Sequence, residues 1–118
     1  MRQLGFALLD MAWHGNDPSD IDTVKDYETL AFKSTRLFPD IPQTCMSTAF
    51  AHIFQGGDSS GYYSYKWAEV LDADAFAYFK EHGIFDKKVA DKFRDNVLSK
   101  GCTEDPMTLY KRFRGAEP

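Results

Sequence analysis

The sequence has little cysteine, no long apolar run and no excess of positive charge, and each absence excludes a class of protein. Only two of its 118 residues are cysteines, Cys45 and Cys102. Two are too few for a disulfide framework, and no Cys-x-x-Cys pair indicates zinc or redox chemistry. We therefore expect both thiols to be free and buried in a reducing compartment.

The apolar run at the start of the chain is interrupted by Asp10, which leaves it far too short to cross a bilayer, and it has no signal-peptide cleavage pattern. The formal net charge is -4 at pH 7. Nucleic-acid binders usually carry a basic face, and the one basic cluster, Lys111–Arg114, suits the C-terminal end of a helix. We expect a cytoplasmic protein that binds neither membrane nor nucleic acid.

A metal-binding motif is missing as well. The three histidines are far apart, and the His-Glu-x-x-His pattern is absent. Glu69, Asp72 and Asp74 do not share one face of a helix, so a solvated surface is favoured over a cation site. His14 and His82 fall at predicted helix ends, where interaction with the helix dipole explains them.

What the sequence does contain is a globular composition, with 43% hydrophobic and 15% aromatic residues. That content predicts one domain with an aromatic core. Apolar spacings of three and four residues predict a first helix over Met1–His14, which starts without a cap. A second helix is capped by Ser19 or Asp20, and its apolar stripe continues to Leu37. Its other face, which includes Glu28, is expected to be solvated.

The stretch 38–61 has no clear period and is predicted to be a loop with a helical turn or a short strand. The remaining predicted helices are Tyr62–Glu81 before Gly83, Lys87–Ser99 after the cap Asp86, and a last helix that opens at Asp105-Pro106 and ends at Gly115. Leu98 is expected to face inward. Helices without an alternating strand pattern predict an all-α fold for a single unit spanning residues 1–118.

The segment His52–Trp67 combines a histidine, three glycines and three tyrosines. Glycines allow tight turns, while imidazole and phenol groups donate hydrogen bonds. Tyr62 and Tyr65 lie one turn apart on the same helical face. Such donors suit a peptide carbonyl or a developing oxyanion, although they supply no nucleophile. A structural and a functional role for His52 both remain open at this point.

The residues of this segment carry a resemblance to a known family. Ala51–Gly57 and Gly61–Phe76 closely resemble the C-terminal region of the thimet oligopeptidase family of zinc metallopeptidases, especially its bacterial peptidyl-dipeptidase and oligopeptidase A members. The resemblance continues, in register, through Phe6–Ala12, Gly83–Phe85, Leu98–Gly101, Glu104–Met107 and Lys111–Gly115. It therefore spans nearly the whole chain.

The resemblance implies a helical part of the catalytic domain, lining the channel in which zinc-activated water attacks a short peptide. In that family a His-Glu-x-x-His helix and a later glutamate hold the zinc, and both precede the matched region. This chain is thus expected to bind no metal itself. The resemblance also implies that His52 contacts the substrate backbone and that Tyr65 hydrogen-bonds the tetrahedral intermediate. Tyr62 would line the same site, and Gly56 and Gly57 would belong to a mobile loop over the peptide.

Two departures from the family pattern matter. Where the family reads Gly-Gly-Tyr, this chain has Asp58 as the third residue of the triplet, so a carboxylate lines the substrate site and would repel a developing oxyanion. The sequence also stops at Pro118, where the family pattern continues. We expect a fragment truncated at both ends that is inactive alone and self-associates through faces carrying Leu4, Leu8 or the aromatic positions of the Tyr62 helix. A non-catalytic helical module that binds peptides or a partner protein, from a split or decayed gene, is the alternative.

Overall fold

A computed structural model describes the backbone of residues 1–118 and the side chains of 1–17 and 19–118. The described backbone forms six α-helices, three 3-10 turns and one π-helical segment, with no strand, so the predicted all-α fold is confirmed. The chain separates into two compact units, 1–67 and 68–118, which we describe one at a time. Membership of both in one catalytic domain stays a prediction. Among the described residues, no helix is long and apolar enough to cross a membrane.

The first unit begins with the predicted uncapped helix. Its elements are α1 (Arg2–Gly15), a 3-10 turn (Pro18–Asp20), α2 (Val24–Phe32), α3 (Met46–Ala49), 3-10 turns at Ala51–Ile53 and Gly56–Asp58, and the start of α4 (Ser64–His82). Leu9 and Ile53 are fully buried at its centre. Phe6 lies against Phe50 with ring centroids 4.6 Å apart, which gives this unit an aromatic core.

The second helix begins later than predicted, and its predicted caps are wrong. Thr23 is the cap, because its Oγ1 accepts the Asp26 amide at 3.1 Å. Helix α2 ends at Phe32, so Leu37 lies beyond it and is 67% exposed. The apolar stripe read from the sequence therefore ran past the real end of the helix.

The expected solvation of Glu28 is also wrong, since only 3% of this residue is exposed. Its Oε2 accepts the amide of Ser47 at 2.6 Å and the Ser47 hydroxyl at 2.8 Å. A buried carboxylate needs such donors. Glu28 thereby caps the short helix α3 from a distant part of the chain.

The second unit contains the rest of α4, then α5 (Lys87–Phe93), the π-helical segment (Arg94–Leu98) and α6 (Pro106–Arg114). The predicted caps are confirmed, because Asp86 accepts the amide of Val89 and Asp105 accepts that of Thr108. Gly83 and Gly115 follow α4 and α6 with φ of 109° and 88°, a conformation that favours glycine.

Two expectations for the second unit are wrong. Leu98 is 66% exposed, because the wider π-helical turn after Phe93 changes which residues face the core. Asp74 is only partly exposed and not simply solvated, since it accepts the hydroxyl of Tyr110 at 2.6 Å and Nε of Arg114 at 3.0 Å. These two bonds lie beside a core centred on the fully buried ring of Phe113.

The cysteines are free, as predicted, but neither is buried. Cys102 is exposed and Cys45 is partly exposed. Cys45 precedes α3, where its thiol lies 3.5 Å from the buried Glu28 carboxylate. The Cys45 thiol thus lies in the polar surroundings of Glu28 and not in an apolar core.

Candidate functional site

The predicted site residues lie in the first unit, on short turns that lead into α4. His52 sits in the 3-10 turn Ala51–Ile53, and Asp58 ends the turn Gly56–Asp58. Tyr62 lies two residues before α4, and Tyr65 lies in its first turn. Gly56 has a φ of 81°, so the first of the two neighbouring glycines is the one whose backbone requires glycine.

The fold brings His52 and Asp58 into direct contact. His52 Nε2 lies 2.5 Å from Asp58 Oδ2, and both side chains are partly exposed. A carboxylate without a proton can only accept, so Nε2 carries the hydrogen and donates it. This pairing occupies the imidazole donor at Nε2, an outcome that the sequence alone did not predict.

Tyr65 completes a cluster with His52 and Asp58. Its hydroxyl lies 3.4 Å from both His52 Nε2 and Asp58 Oδ2, and the side chain opens to solvent. Desolvation, and then the neighbouring Asp58 charge, raise the pKa of the Tyr65 hydroxyl above its usual value. The phenol therefore stays protonated at neutral pH and can donate a hydrogen bond.

Tyr62 is the buried support of the cluster rather than an exposed donor. It is 8% exposed, and its ring centroid lies 5.4 Å from that of His52 and 5.0 Å from that of Tyr65. Phe50 lies edge-on to the rings of both His52 and Tyr62. Such aromatic contacts hold the ring orientations of the two exposed side chains.

Sequence reasoning missed Asp10, a fully buried residue of α1. Its Oδ1 accepts the amide of Ser60 at 2.8 Å, and its Oδ2 accepts that of Tyr62 at 2.9 Å. His14 Nδ1 lies 2.9 Å from Oδ1, one helical turn away. The signal was present in the sequence, where Asp10 interrupts an apolar helical run at a position that faces the core and therefore needs buried donors.

The structure contains no zinc-binding group within its described part. Among the described residues, no three or more histidine, cysteine, aspartate or glutamate side chains come together in a way that could hold a metal ion. His52 and Asp58 form a pair with a phenol as third member. The resemblance places the zinc ligands upstream of the matched residues, so the location of the zinc stays a prediction.

A cleft in the first unit is lined by residues outside this cluster. It has a volume of about 910 Å³ and is lined by apolar side chains including Phe6, Phe32, Phe38 and Met46, but not by His52, Asp58 or Tyr65. Polar groups converge on the His52 cluster, and only there do the predicted residues meet. We therefore take the cluster, and not the cleft, as the candidate site.

Comparisons with known proteins match the chain to a peptidase family. The family model described as peptidase family M3 matches residues 1–118. Oligopeptidase A of Escherichia coli is 47% identical over 121 residues, and the match covers 100% of this chain and 18% of that protein. Dipeptidyl carboxypeptidase of Salmonella typhimurium is 40% identical over 117 residues, covering 98% of this chain and 17% of that protein.

A plant relative gives a similar match. The probable cytosolic oligopeptidase A of Arabidopsis thaliana is 38% identical over 123 residues, covering 100% of this chain and 18% of that protein. The chain belongs to peptidase family M3. It spans less than a fifth of the length of these relatives. The resemblance seen in the sequence is thus confirmed.

Proposed function

We propose that this chain is the C-terminal part of the catalytic domain of a zinc-dependent oligopeptidase or peptidyl-dipeptidase, acting on short peptides. In this proposal His52 hydrogen-bonds the substrate backbone and Tyr65 donates to the oxyanion of the tetrahedral intermediate. Gly56, Gly57 and Asp58 line the same substrate site, and the buried ring of Tyr62 forms its floor. Zinc, which would activate the attacking water, would be held by residues that this sequence does not contain.

The single observation that carries the proposal is the meeting of His52 and Tyr65 at one exposed cluster. Their ring centroids are 5.9 Å apart, and the Tyr65 hydroxyl is protonated and accessible. A substrate carbonyl beside the cluster would find a phenol donor that is not shared with the core. Donors placed where negative charge develops lower the barrier to acyl transfer.

Asp58 gives this site a feature of its own. Its carboxylate binds the Nε2 hydrogen of His52 at 2.5 Å, so the imidazole must leave Asp58 before it can donate to a peptide from that nitrogen. The carboxylate also opposes a nearby oxyanion by like-charge repulsion. We propose that Asp58 lowers the activity of this site relative to the tyrosine that the family pattern carries.

The proposal is tested in a chimera in which this chain replaces the aligned segment of Escherichia coli oligopeptidase A. We expect the chimera to hydrolyse a short fluorogenic peptide. Tyr65→Phe should lower kcat roughly 100-fold with little change in KM, because the hydroxyl acts in the transition state. Tyr63→Phe is the matched control, since this exposed neighbouring tyrosine lies outside the cluster. Asp58→Tyr should raise kcat.

Circular dichroism melts establish that each chimera is folded before its rates are compared. Equal rates for the Tyr65→Phe and Tyr63→Phe chimeras would contradict the role of Tyr65. Chelator-sensitive hydrolysis by the 118-residue chain alone would contradict the assignment of the zinc site to residues outside it.

The Asp58 pairing favours one alternative, a non-catalytic helical module that binds peptides or a partner protein. A folded chimera that stays inactive even with Asp58→Tyr would support that alternative. A cytoplasmic location stays part of the proposal. Among the relatives from Arabidopsis thaliana, one is named as cytosolic and another as organellar.

A further inference from the structure

We propose that Asp10 is a positioning residue that holds residues 56–61, which we call the glycine loop, and the start of α4 in place against His52. The inference rests on the proposed function for its catalytic meaning, but its geometry concerns only this chain. Asp10 is a fully buried charged residue of α1, and it lies 50 and 52 residues before the two amides it binds.

Each oxygen of the Asp10 carboxylate serves a different amide. Oδ1 accepts from Ser60 and Oδ2 accepts from Tyr62, so one side chain holds both ends of a three-residue stretch. Hydrogen bonds from amides to a buried charge are stronger than neutral ones. The loop is therefore held at a fixed position relative to α1.

The anchored stretch connects directly to the site residues. Within it, the amide of Gly61 donates to the carbonyl of Asp58 at 2.9 Å, which closes the turn that carries the Asp58 side chain. The carbonyl of Tyr62 accepts the amide of Tyr65 at 3.3 Å as α4 begins. Through these two bonds, Asp10 determines the backbone positions of Asp58 and Tyr65 together.

Ser60, one of the two residues whose amides Asp10 binds, has an unfavourable backbone conformation. Its φ is 62°, in the left-handed region that a residue other than glycine rarely adopts. Such a conformation persists only when the surrounding structure imposes it. The turn that the Gly61 amide closes on the Asp58 carbonyl has the angles of a type II turn, which requires a positive φ at Ser60. The Asp10 bond to the Ser60 amide stabilises this turn at its strained residue.

The test uses amide hydrogen exchange measured by NMR on the chain, with no catalysis involved. In Asp10→Asn the amide side chain has one acceptor oxygen, so one of the two loop amides loses its partner. We expect exchange to accelerate roughly 10- to 100-fold at whichever of Ser60 and Tyr62 loses its partner and by a smaller factor at the other. The ring resonances of His52 and Tyr65 should shift. Adding Ser60→Gly, which tolerates positive φ, should restore part of the native ring shifts.

Glu28→Gln is the matched control, because Glu28 is another buried carboxylate of the same unit that accepts a backbone amide. It should destabilise the unit without accelerating Ser60 and Tyr62 selectively. The same pattern in both variants would overturn the positioning role. If Asp10→Asn does not fold, amide exchange is measured in the unaltered chain instead. Exchange at Ser60 and Tyr62 as fast as at their neighbour Ser59 would then overturn the positioning role of Asp10. Neither result depends on peptidase activity, so failure here is distinct from failure of the chimera.

Discussion

Buried carboxylates are the residues that organise the first unit. Asp10 holds the loop before α4, and Glu28 holds the start of α3, each through backbone amides that lie far along the chain. A carboxylate removed from water is stable only when donors replace its hydration. Both residues therefore connect distant segments, and replacing either one should destabilise the segment that it holds.

The pH dependence of stability should report on Glu28. Burial alone raises its pKa, but the donors from Ser47, Met46 and Cys45 outweigh it, and the pKa is lowered below the ordinary value. The folded chain then binds fewer protons at this group than the unfolded chain does. Its contribution to stability is present above the unfolded pKa and is lost as the pH falls through the lower folded pKa.

We expect Glu28→Gln to lower the free energy of unfolding at pH 7 by about 1–3 kcal/mol and to remove this part of the acid dependence. Urea unfolding followed by Trp fluorescence at several pH values measures both effects, since Trp13 donates to the Ser47 hydroxyl that Glu28 also binds. Asp22→Asn, at an exposed carboxylate of the same unit, should change neither quantity. An unaltered pH slope in Glu28→Gln would show that Glu28 is not the group that titrates.

At the scale of secondary-structure elements, the first unit is characterised by the close packing of α1 against the end of α2. Gly5 lies where the two elements approach, and a Cβ there would come within 2.9 Å of Thr35 Oγ1 and 3.0 Å of a Phe32 ring carbon. Gly15, at the end of the same helix, has nothing within 4 Å of such a Cβ. The helix thus contains two glycines, of which only one is required by packing.

We expect Gly5→Ala to lower the free energy of unfolding by about 1 kcal/mol or more, because overpacking outweighs the gain in helix propensity. Gly15→Ala should instead raise it by up to about 1 kcal/mol. Urea denaturation of both variants decides the matter. Stabilisation of similar size in both would mean that α2 moves aside at little cost.

At the scale of the whole molecule, the main feature is the number of large apolar side chains that are exposed to solvent. Leu4 and Leu8 lie one turn apart on α1 and are 42% and 43% exposed, while Trp67 and Phe76 of α4 are each half exposed. Apolar surface of this kind favours association with another surface. Self-association therefore stays a prediction for this chain.

Light scattering after size exclusion, at increasing protein concentration, measures it. We expect a mass above 13.5 kDa at high concentration and a shift toward monomer in the double variant Leu4→Lys and Leu8→Lys. A matched double variant at exposed polar positions of the first unit, Ser34→Lys and Ser64→Lys, should leave the mass distribution unchanged. A parent chain that remains monomeric at all concentrations would contradict the prediction.

The sequence by itself determined the helical class, most helix ends and the family. Asp86 and Asp105 as caps, and Gly83 and Gly115 as stops, follow from hydrogen bonds and backbone angles within a few residues, so local sequence predicts them. The sequence also indicated a candidate site at His52–Trp67, because the histidine, glycines and tyrosines of that segment are close together along the chain.

Only the tertiary structure decided what those residues touch. His52 and Asp58 meet where the loop between them turns back, and Asp10 accepts amides just beyond that loop, at Ser60 and Tyr62, which lie 50 and 52 residues further along the chain. The same holds for Glu28, whose partner Ser47 is 19 residues away. Periodicity shows which face of a helix is apolar, but it carries no information on which distant amide a polar side chain will meet.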